Sequence, residues 1–311
     1  MARYLIIGGG LIGVHVAKEL NNKNKHDFVI QAHRIDFDYA NSVTLINPEQ
    51  IIQKPIYDSA SLLSLIDSYN IKNIIVAAGS LHPSFKKHSG AALLNESQLL
   101  LSIQAVCNKK RIDKLIYISS LSVYGNDTES RTEQSIPRPL SIYGATKLYN
   151  EQIVKSIAEY TECSVLVIRS TGTVGPNPNL SGNWMSRSLN QIIKSDDEQI
   201  ELDDLLFSPN EFLDVRDLSY FIVNNSKKRK RFDVVNLGPG KITSGEELLF
   251  DLKRTFNKNF IRKINNLQTP QPKINKPLPI EKAIRDYNYS PKFNLQKTLE
   301  YIGDYYGKVP N

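Results

Sequence analysis

Tyr143-Gly144-Ala145-Thr146-Lys147 sets a phenol and an amine four residues apart. On a helix that spacing puts both side chains on one face. An ammonium beside a phenol favours the phenolate, drawing a tyrosine pKa down from ~10 toward the working range of a general acid/base. The chain has 15 Tyr, and only Tyr143 has a Lys four residues on. Upstream stands Tyr117-Ile118-Ser119-Ser120-Leu121-Ser122-Val123-Tyr124-Gly125. Its Ser pair falls at the C-terminal end of a strand pattern, where open α/β sheets bind ligands. A Ser120 hydroxyl there can hold a substrate oxygen while Tyr143 gives or takes its proton; Ser119 and Ser122 are the alternatives if the register differs.

A second constellation opens the chain. Gly8-Gly9-Gly10-Leu11-Ile12-Gly13 follows the strand pattern Tyr4 to Ile7 and leads into a helical pattern. Gly8 permits a tight turn, Gly10 lets a pyrophosphate approach the backbone, and Gly13 lets the helix pack closely on the sheet. Free N–H groups from Gly10, Leu11 and Ile12 onward and the positive end of the helix dipole complete a phosphate site. The cofactor implied is NADP or NAD. A carboxylate at the end of the second strand would select NAD and an Arg would accommodate NADP. Gln31-Ala32-His33-Arg34 offers no acid before Asp36. Arg34 therefore favours NADP, unless Asp36 or Asp38 reaches the ribose.

These residues need a rigid frame. Strand patterns at Phe28 to Ala32, Asn73 to Ala77, Lys114 to Ser119 and Ser164 to Arg169 alternate with helical patterns. The helices include one at Leu62, Leu63 and Ile66, and longer ones from about Ala91 to Cys107 and Ile142 to Tyr160. Val43 to Asn47 is a further apolar run. Near-continuous apolar strands joined by helices predict an α/β fold, a doubly wound parallel sheet of Rossmann type. Gly, Pro and Asn in 170–183 and four Pro in 266–280 mark a change of texture. A dinucleotide-binding domain over 1–175, rejoined by the chain around 210–238, and a smaller irregular C-terminal substrate lobe over 176–311 are expected. Thr243-Ser244-Gly245-Glu246-Glu247 reads as a capping-box helix start.

Composition narrows the classes. The 311 residues are 41% hydrophobic and 23% charged, enough for a packed core. Two cysteines exclude a disulfide framework and a Cys-rich zinc site. The net charge of +7 is mild, and Lys227-Lys228-Arg229-Lys230-Arg231 reads as a solvated turn rather than a nucleic-acid patch. His15, His26, His33, His82 and His88 lack metal-ligand spacing. Met185 beside Trp184 reads as an anchor of the second lobe. No run approaches the ~20 apolar residues of a membrane span. With no signal-peptide pattern at the N-terminus, a cytoplasmic protein is expected.

The order of glycine loop, Ser-Ser-x-Ser-Val-Tyr-Gly and Tyr-x-x-x-Lys resembles the extended short-chain dehydrogenase/reductases, the nucleotide-sugar epimerase/dehydratase group. Further resemblances lie in Tyr57-Asp58-Ser59, Ile75-Val76-Ala77-Ala78-Gly79, Asn95, Arg169, Gly175-Pro176, Glu211 to Asp217, Val235-Asn236-Leu237-Gly238 and Asn288-Tyr289-Ser290-Pro291. One departure is Ile7, which stands where the family's first glycine would fall. The resemblance implies that Tyr143 is the acid/base, that Lys147 binds the nicotinamide ribose and tunes Tyr143, and that Ser120 orients a carbonyl or hydroxyl. It also implies that Asp58 and Ser59, Ala77, Ala78, Gly79 and Asn95 line the cofactor. The substrate implied is a nucleotide-linked sugar, and a homodimer through the helices at 91–107 and 142–160 would follow the family. Reduction of a 4-keto sugar and 4-epimerisation with tightly held NAD both fit this machinery. The missing acid after the second strand and the short second lobe favour the reductase. A non-catalytic dinucleotide sensor would have no need for Tyr143 and Lys147.

Overall fold

The computed structural model describes residues 3–25, 27–33, 35–56, 58–79, 82–125, 131–177, 184–203, 207–228, 230–263 and 276–307, without the side chains of 82–94, 184, 203, 262 and 263. Its main sheet takes seven strands. They are β1 (Arg3–Ile7), β2 (Phe28–Ala32), β3 (Ile51–Gln53), β4 (Ile71–Val76), β5 (Lys114–Ser120), β6 (Ser164–Ser170) and, from the second half, a strand at Phe232–Leu237. They lie in the order Phe232–Leu237, β6, β5, β4, β1, β2, β3, with every described pairing parallel. The chain therefore leaves β1 toward one edge and returns to build the other from β4. This reversal leaves a crevice at the carboxyl ends of β1 and β4, the place where such sheets take ligands.

Period-two alternation distributes the strand side chains. Tyr4 and Ile6 of β1 enter one core, together with Ile30, Ile116 and Ile168. Leu5 and Ile7 enter the other, with Val29, Ile74, Leu115 and Val167. On the first face lie α1 (Leu11–Asn22), α2 (Phe37–Val43), a helix at Val215–Asn225 and another at Glu281–Tyr287. On the second lie α3 (Ser59–Ser68), α4 (His82–Cys107) and α5 (Ile142–Tyr160). Both faces being covered explains the near-continuous apolar strands.

A separate core gathers Met185, Leu189, Ile192, Ile200, Leu248, Leu252, Phe256, Leu295, Leu299 and Ile302. It is built by β7 (Gly172–Val174), α6 (Trp184–Lys194), β8 (Gln199–Asp203) and β9 (Phe212–Asp214). The chain then crosses back as α7 (Val215–Asn225) and β10 (Phe232–Leu237). It returns to the second core through α8 (Gly245–Phe256) and β11 (Asn259–Lys263), which pairs with β8. It touches the main sheet once more through α9 (Glu281–Tyr287), then ends with α10 (Leu295–Tyr306) on the second core. The second excursion, through α9, has no counterpart in the sequence expectation. Ser244 and Glu247 form the expected capping box of α8.

Strand ends differ from expectation by one or two residues, and three differences bear on the core and the site. Val43 to Asn47 is the end of α2 and a loop, although Val43 and Ile46 are buried. Asp36 starts α2 by accepting a hydrogen bond from the Tyr39 N–H at 2.9 Å, and the apolar run serves the core without forming a strand. α4 begins nine residues earlier than Ala91, with Pro83 in its first turn, where a missing N–H costs no helix bond. β4 ends at Val76, releasing Ala77 into the turn beyond. The basic run between α7 and β10 is tied to the fold. Lys228 Nζ donates to the Asp286 carbonyl, Lys230 Nζ to Asp233 and Arg231 to the Glu159 carbonyl. Arg229 lies outside the described residues.

His15, facing inward from α1, gives the fold a pH dependence. Its Nδ1 donates to the Leu11 carbonyl at 2.8 Å and its Nε2 lies 3.1 Å from the Tyr301 hydroxyl. With Nδ1–H as donor, Nε2 accepts, so the native ring is neutral. Burial is the main cause lowering its pKa from 6.5 to about 4, opposed by the Leu11 carbonyl and helped by Lys18. The unfolded chain therefore takes up a proton that the native state refuses. Stability from this group is present above pH 6.5 and is lost as pH falls from 6.5 to about 4. The depression corresponds to on the order of 3 kcal/mol. Denaturant titrations of wild type and His15→Gln across that window should show a shallower acid slope in the variant; parallel slopes would exclude this residue.

Candidate functional site

The crevice between β1 and β4 is floored by the glycine loop. β1 runs through Ile7, so Gly8 is the first residue of the turn, with φ of +115°. A Cβ on Gly8 would lie 2.6 Å from the Ala78 nitrogen, and one on Gly13 would lie 1.8 Å from the Gly8 carbonyl oxygen. Strand, turn and helix are thus held against the Ala77-Ala78-Gly79 turn. Ile7 itself is buried in the sheet core, which accounts for the departure at that position. A Cβ on Gly10 would meet nothing within 4 Å. Gly10 is the N-cap of α1 with no side-chain cap, and no acid occupies the first turn. Open space beside uncapped helix N–H groups fits a pyrophosphate. Leu11 and Ile12 are the first two helical residues, both half-buried.

α5 supplies the amine and the phenol. Ser141 starts the helix by accepting from the Gly144 N–H at 3.0 Å. Gly144 lies so close to the turn after β5 that a Cβ there would stand 2.4 Å from the Ser122 carbonyl oxygen. This contact brings Tyr143, half-buried, beside the end of β5. Lys147 points inward and is buried. Its Nζ lies 5.8 Å from the Tyr143 ring centroid and 5.0 Å from that of Tyr117. The amine donates to Glu96 Oε1 at 2.8 Å and to the Ile118 carbonyl at 3.1 Å. Tyr117 donates to the same Glu96 oxygen at 2.7 Å. Burial pulls the Lys147 pKa down, but the charges of Glu96 and Tyr143 outweigh it and the net shift is upward. Burial and the Glu96 carboxylate push the Tyr117 phenol well above its ordinary value.

The three serines divide by environment. Ser119 is buried and donates to Glu151, which also receives Arg169. Ser120 ends β5, accepts from the Ser122 N–H at 3.1 Å and donates to Ser122 Oγ at 3.1 Å. Ser120, itself buried, is therefore paired with the half-buried Ser122 of the following turn, while Ser119 is tied to the interior carboxylate.

Other expected residues spread more widely. Gly79 is brought to Lys147: a Cβ at Gly79 would stand 2.9 Å from Lys147 Nζ. Asp58 is exposed and caps α3, its Oδ1 accepting from the Ser61 N–H at 2.7 Å. Hydrogen bonds from Ser61 hold its carboxyl below the usual range. Ser59 follows as the first residue of α3. Asn95 faces solvent on α4, and its neighbour Glu96 turns inward to the amine. Sequence reasoning missed Glu96; a lone acid beside Leu99 and Leu100 in an apolar stretch was the available signal. Arg34, Tyr57 and the side chains of His82 and Trp184 lie outside the described residues. Met185 is buried in the second core.

Relatives share this arrangement of elements. Over 183 residues the chain is 26% identical to dTDP-D-glucose 4,6-dehydratase of Homo sapiens, covering 56% of this chain and 52% of that protein. Over 196 residues it is 29% identical to the Dictyostelium discoideum protein of the same name, covering 56% and 44%. The chain thus spans about half the length of the curated relatives it matches. UDP-glucose 4-epimerase of Thermotoga maritima, solved with UDP-glucose, superposes with a TM-score of 0.82 at 18% identity, covering 98% of this chain and 99% of that one. UDP-glucose-4-epimerase of Stenotrophomonas maltophila, solved with NAD and formylated UDP-arabinopyranose, gives 0.81 at 19% identity, covering 99% and 98%. At these identities the structural likeness is one of fold. Residues 4–238 match the model of the NAD dependent epimerase/dehydratase family, and the chain belongs to that family.

Proposed function

We propose that the protein holds a nicotinamide dinucleotide and moves a hydride at a carbinol carbon of a nucleotide-linked sugar, with Tyr143 as the acid/base. The observation that carries this reading is the position of Lys147. One buried amine lies under the Gly79 turn of the dinucleotide crevice and 5.8 Å from the Tyr143 ring centroid. It therefore joins the two constellations that the sequence keeps 130 residues apart, from Gly13 to Tyr143.

The uncapped start of α1 would take the pyrophosphate, and Ala77, Ala78 and Gly79 would line the crevice beyond it. When bound, the dinucleotide supplies the hydride acceptor or donor. The chain's own part is protonic and positional. Tyr143 takes a proton from a sugar hydroxyl, or returns one to the oxygen, at its phenolic oxygen. Ser120 Oγ can turn from Ser122 to hold that sugar oxygen. Lys147 keeps a positive charge beside both partners, stabilising negative charge that develops on the phenol or the sugar oxygen.

Among reactions that use this set, we favour one in which the hydride is taken and then returned to the same sugar. The relatives' names, dehydratase and epimerase, support a closed redox cycle, as does the NAD in a fold neighbour. Net reduction of a 4-keto sugar is the second reading. It is favoured by the end of β2, where Ala32-His33 carries no carboxylate and Asp36 is engaged as the cap of α2. Cofactor accounting separates the two. Protein purified without added cofactor should release NAD on denaturation and interconvert or dehydrate a nucleotide sugar with no net dinucleotide consumption. Stoichiometric oxidation of added NADPH would replace this reading with the reductase, and dinucleotide binding with no turnover of any nucleotide sugar would leave the non-catalytic sensor.

A further inference from the structure

We propose that Glu96 is the counter-ion that keeps the buried Lys147 amine charged and aimed, which makes it a positioning residue of the proton-transfer site. The role deepens the functional reading above and rests on it only for its catalytic consequence. The side chains of Lys147 and Glu96 are 5% and 4% exposed. A cation so far from water is stable only beside an anion, and without one it sheds its proton. Glu96 supplies that anion at 2.8 Å.

The pair is also fixed in direction. An ammonium carries three donors. One goes to Glu96 Oε1 and a second to the Ile118 carbonyl, so a single N–H remains unengaged among the described residues. Glu96 in turn is held by the Tyr117 hydroxyl. Its other oxygen, Oε2, has no hydrogen-bond partner among the described residues. A Cβ at Gly79 would reach to 3.7 Å from that oxygen and 2.9 Å from Lys147 Nζ. Gly79 is exposed, so the pair lies one backbone layer below the crevice.

The titratable groups around Lys147 among the described residues leave no substitute. α4 contributes Glu96 and β5 contributes Tyr117, whose phenol is kept neutral. α5 contributes Tyr143 and, one turn on, Glu151. Glu151 is already taken up by Arg169 of β6 and by Ser119. Glu96 is the carboxylate in contact with the amine.

The test is made on the apo protein, so it stands whatever the substrate proves to be. Protein labelled with ¹⁵N-lysine is titrated by NMR, with Lys147 assigned by its loss in Lys147→Arg. Wild-type Lys147 is expected to titrate above the ordinary lysine value. In Glu96→Gln it should titrate at least about one pH unit lower, the usual worth of an adjacent opposite charge. Glu96→Asp, which keeps the charge but retracts it, should fall between. A folded Glu96→Gln protein with an unchanged Lys147 titration overturns the proposal. If that variant fails to fold, an unchanged titration in Glu96→Asp does the same. In the catalytic assay Glu96→Gln should add a loss of kcat/KM on the alkaline side, with NAD affinity weakening over the same pH range. A uniform fall at every pH would mark a merely structural role and overturn the proposal. Wild type that binds no dinucleotide yet shows the expected NMR shift would sink the functional reading and leave the counter-ion in place.

Discussion

Tyr143→Phe is expected to lower turnover by about 10²–10⁴-fold, the usual worth of a positioned acid/base, while dinucleotide binding and folding are kept. The change removes one oxygen. Tyr143 lies in the first turn of α5, which the Ser141 cap and the close approach of Gly144 to Ser122 hold in place. The ring stays, and Lys147 keeps Glu96 and the Ile118 carbonyl. With no hydroxyl there is no group at that position to exchange a proton with the sugar oxygen. The loss should therefore fall on kcat, with NAD affinity by calorimetry near the wild-type value. Turnover within a few-fold of wild type would remove Tyr143 from the chemistry. Turnover and NAD affinity lost together would show that the Tyr143 hydroxyl is a binding element.

The parts of the site that local chemistry encodes were legible in the sequence. A strand, a glycine turn and a helix follow one another within 3–22, and each is specified by its own residues. α5 runs from Ile142 to Tyr160 as the spacing implied, because Ser141 marks its start and its apolar face is regular. Asp58 and Asn95 show what local reading leaves open. Asp58 stands directly before a helix, and an Asp there caps the helix whatever else it touches. Asn95 and Glu96 are adjacent, yet one residue is about 100° of helix rotation. Only the packing of α4 on α5 decides which of them enters the interior. The run at Val43 to Asn47 takes no element from the sequence for a related reason. A short apolar stretch is equally suited to a strand or to the end of a helix that drops into the core.

Glu151→Leu is expected to destabilise the protein by about 3–5 kcal/mol, the cost of leaving a buried charge without its partner. Arg169 meets Glu151 through two nitrogens, Nη2 at 2.7 Å and Nε at 3.1 Å, with side chains 6% and 3% exposed. Its Nη1 donates to the Tyr124 hydroxyl at 2.9 Å, which donates to Asn236 Oδ1 at 2.8 Å. Asn236 then donates to the Arg131 carbonyl at 2.7 Å. This chain ties α5, β6, the turn after β5 and β10 together beneath Ser120 and Ser122. A guanidinium does not shed its proton as an amine does, so Arg169 has no escape by neutralisation. The double replacement Glu151→Leu/Arg169→Met should recover much of the loss, because an apolar pair of similar volume carries no desolvation cost. Urea denaturation of the two single variants and the double variant gives the coupling directly. Additive losses would mean that the ion pair contributes nothing as a pair. A double variant as stable as wild type but slow in turnover would mean that the network is kept to hold Ser120 and Ser122 in place rather than to hold the fold together.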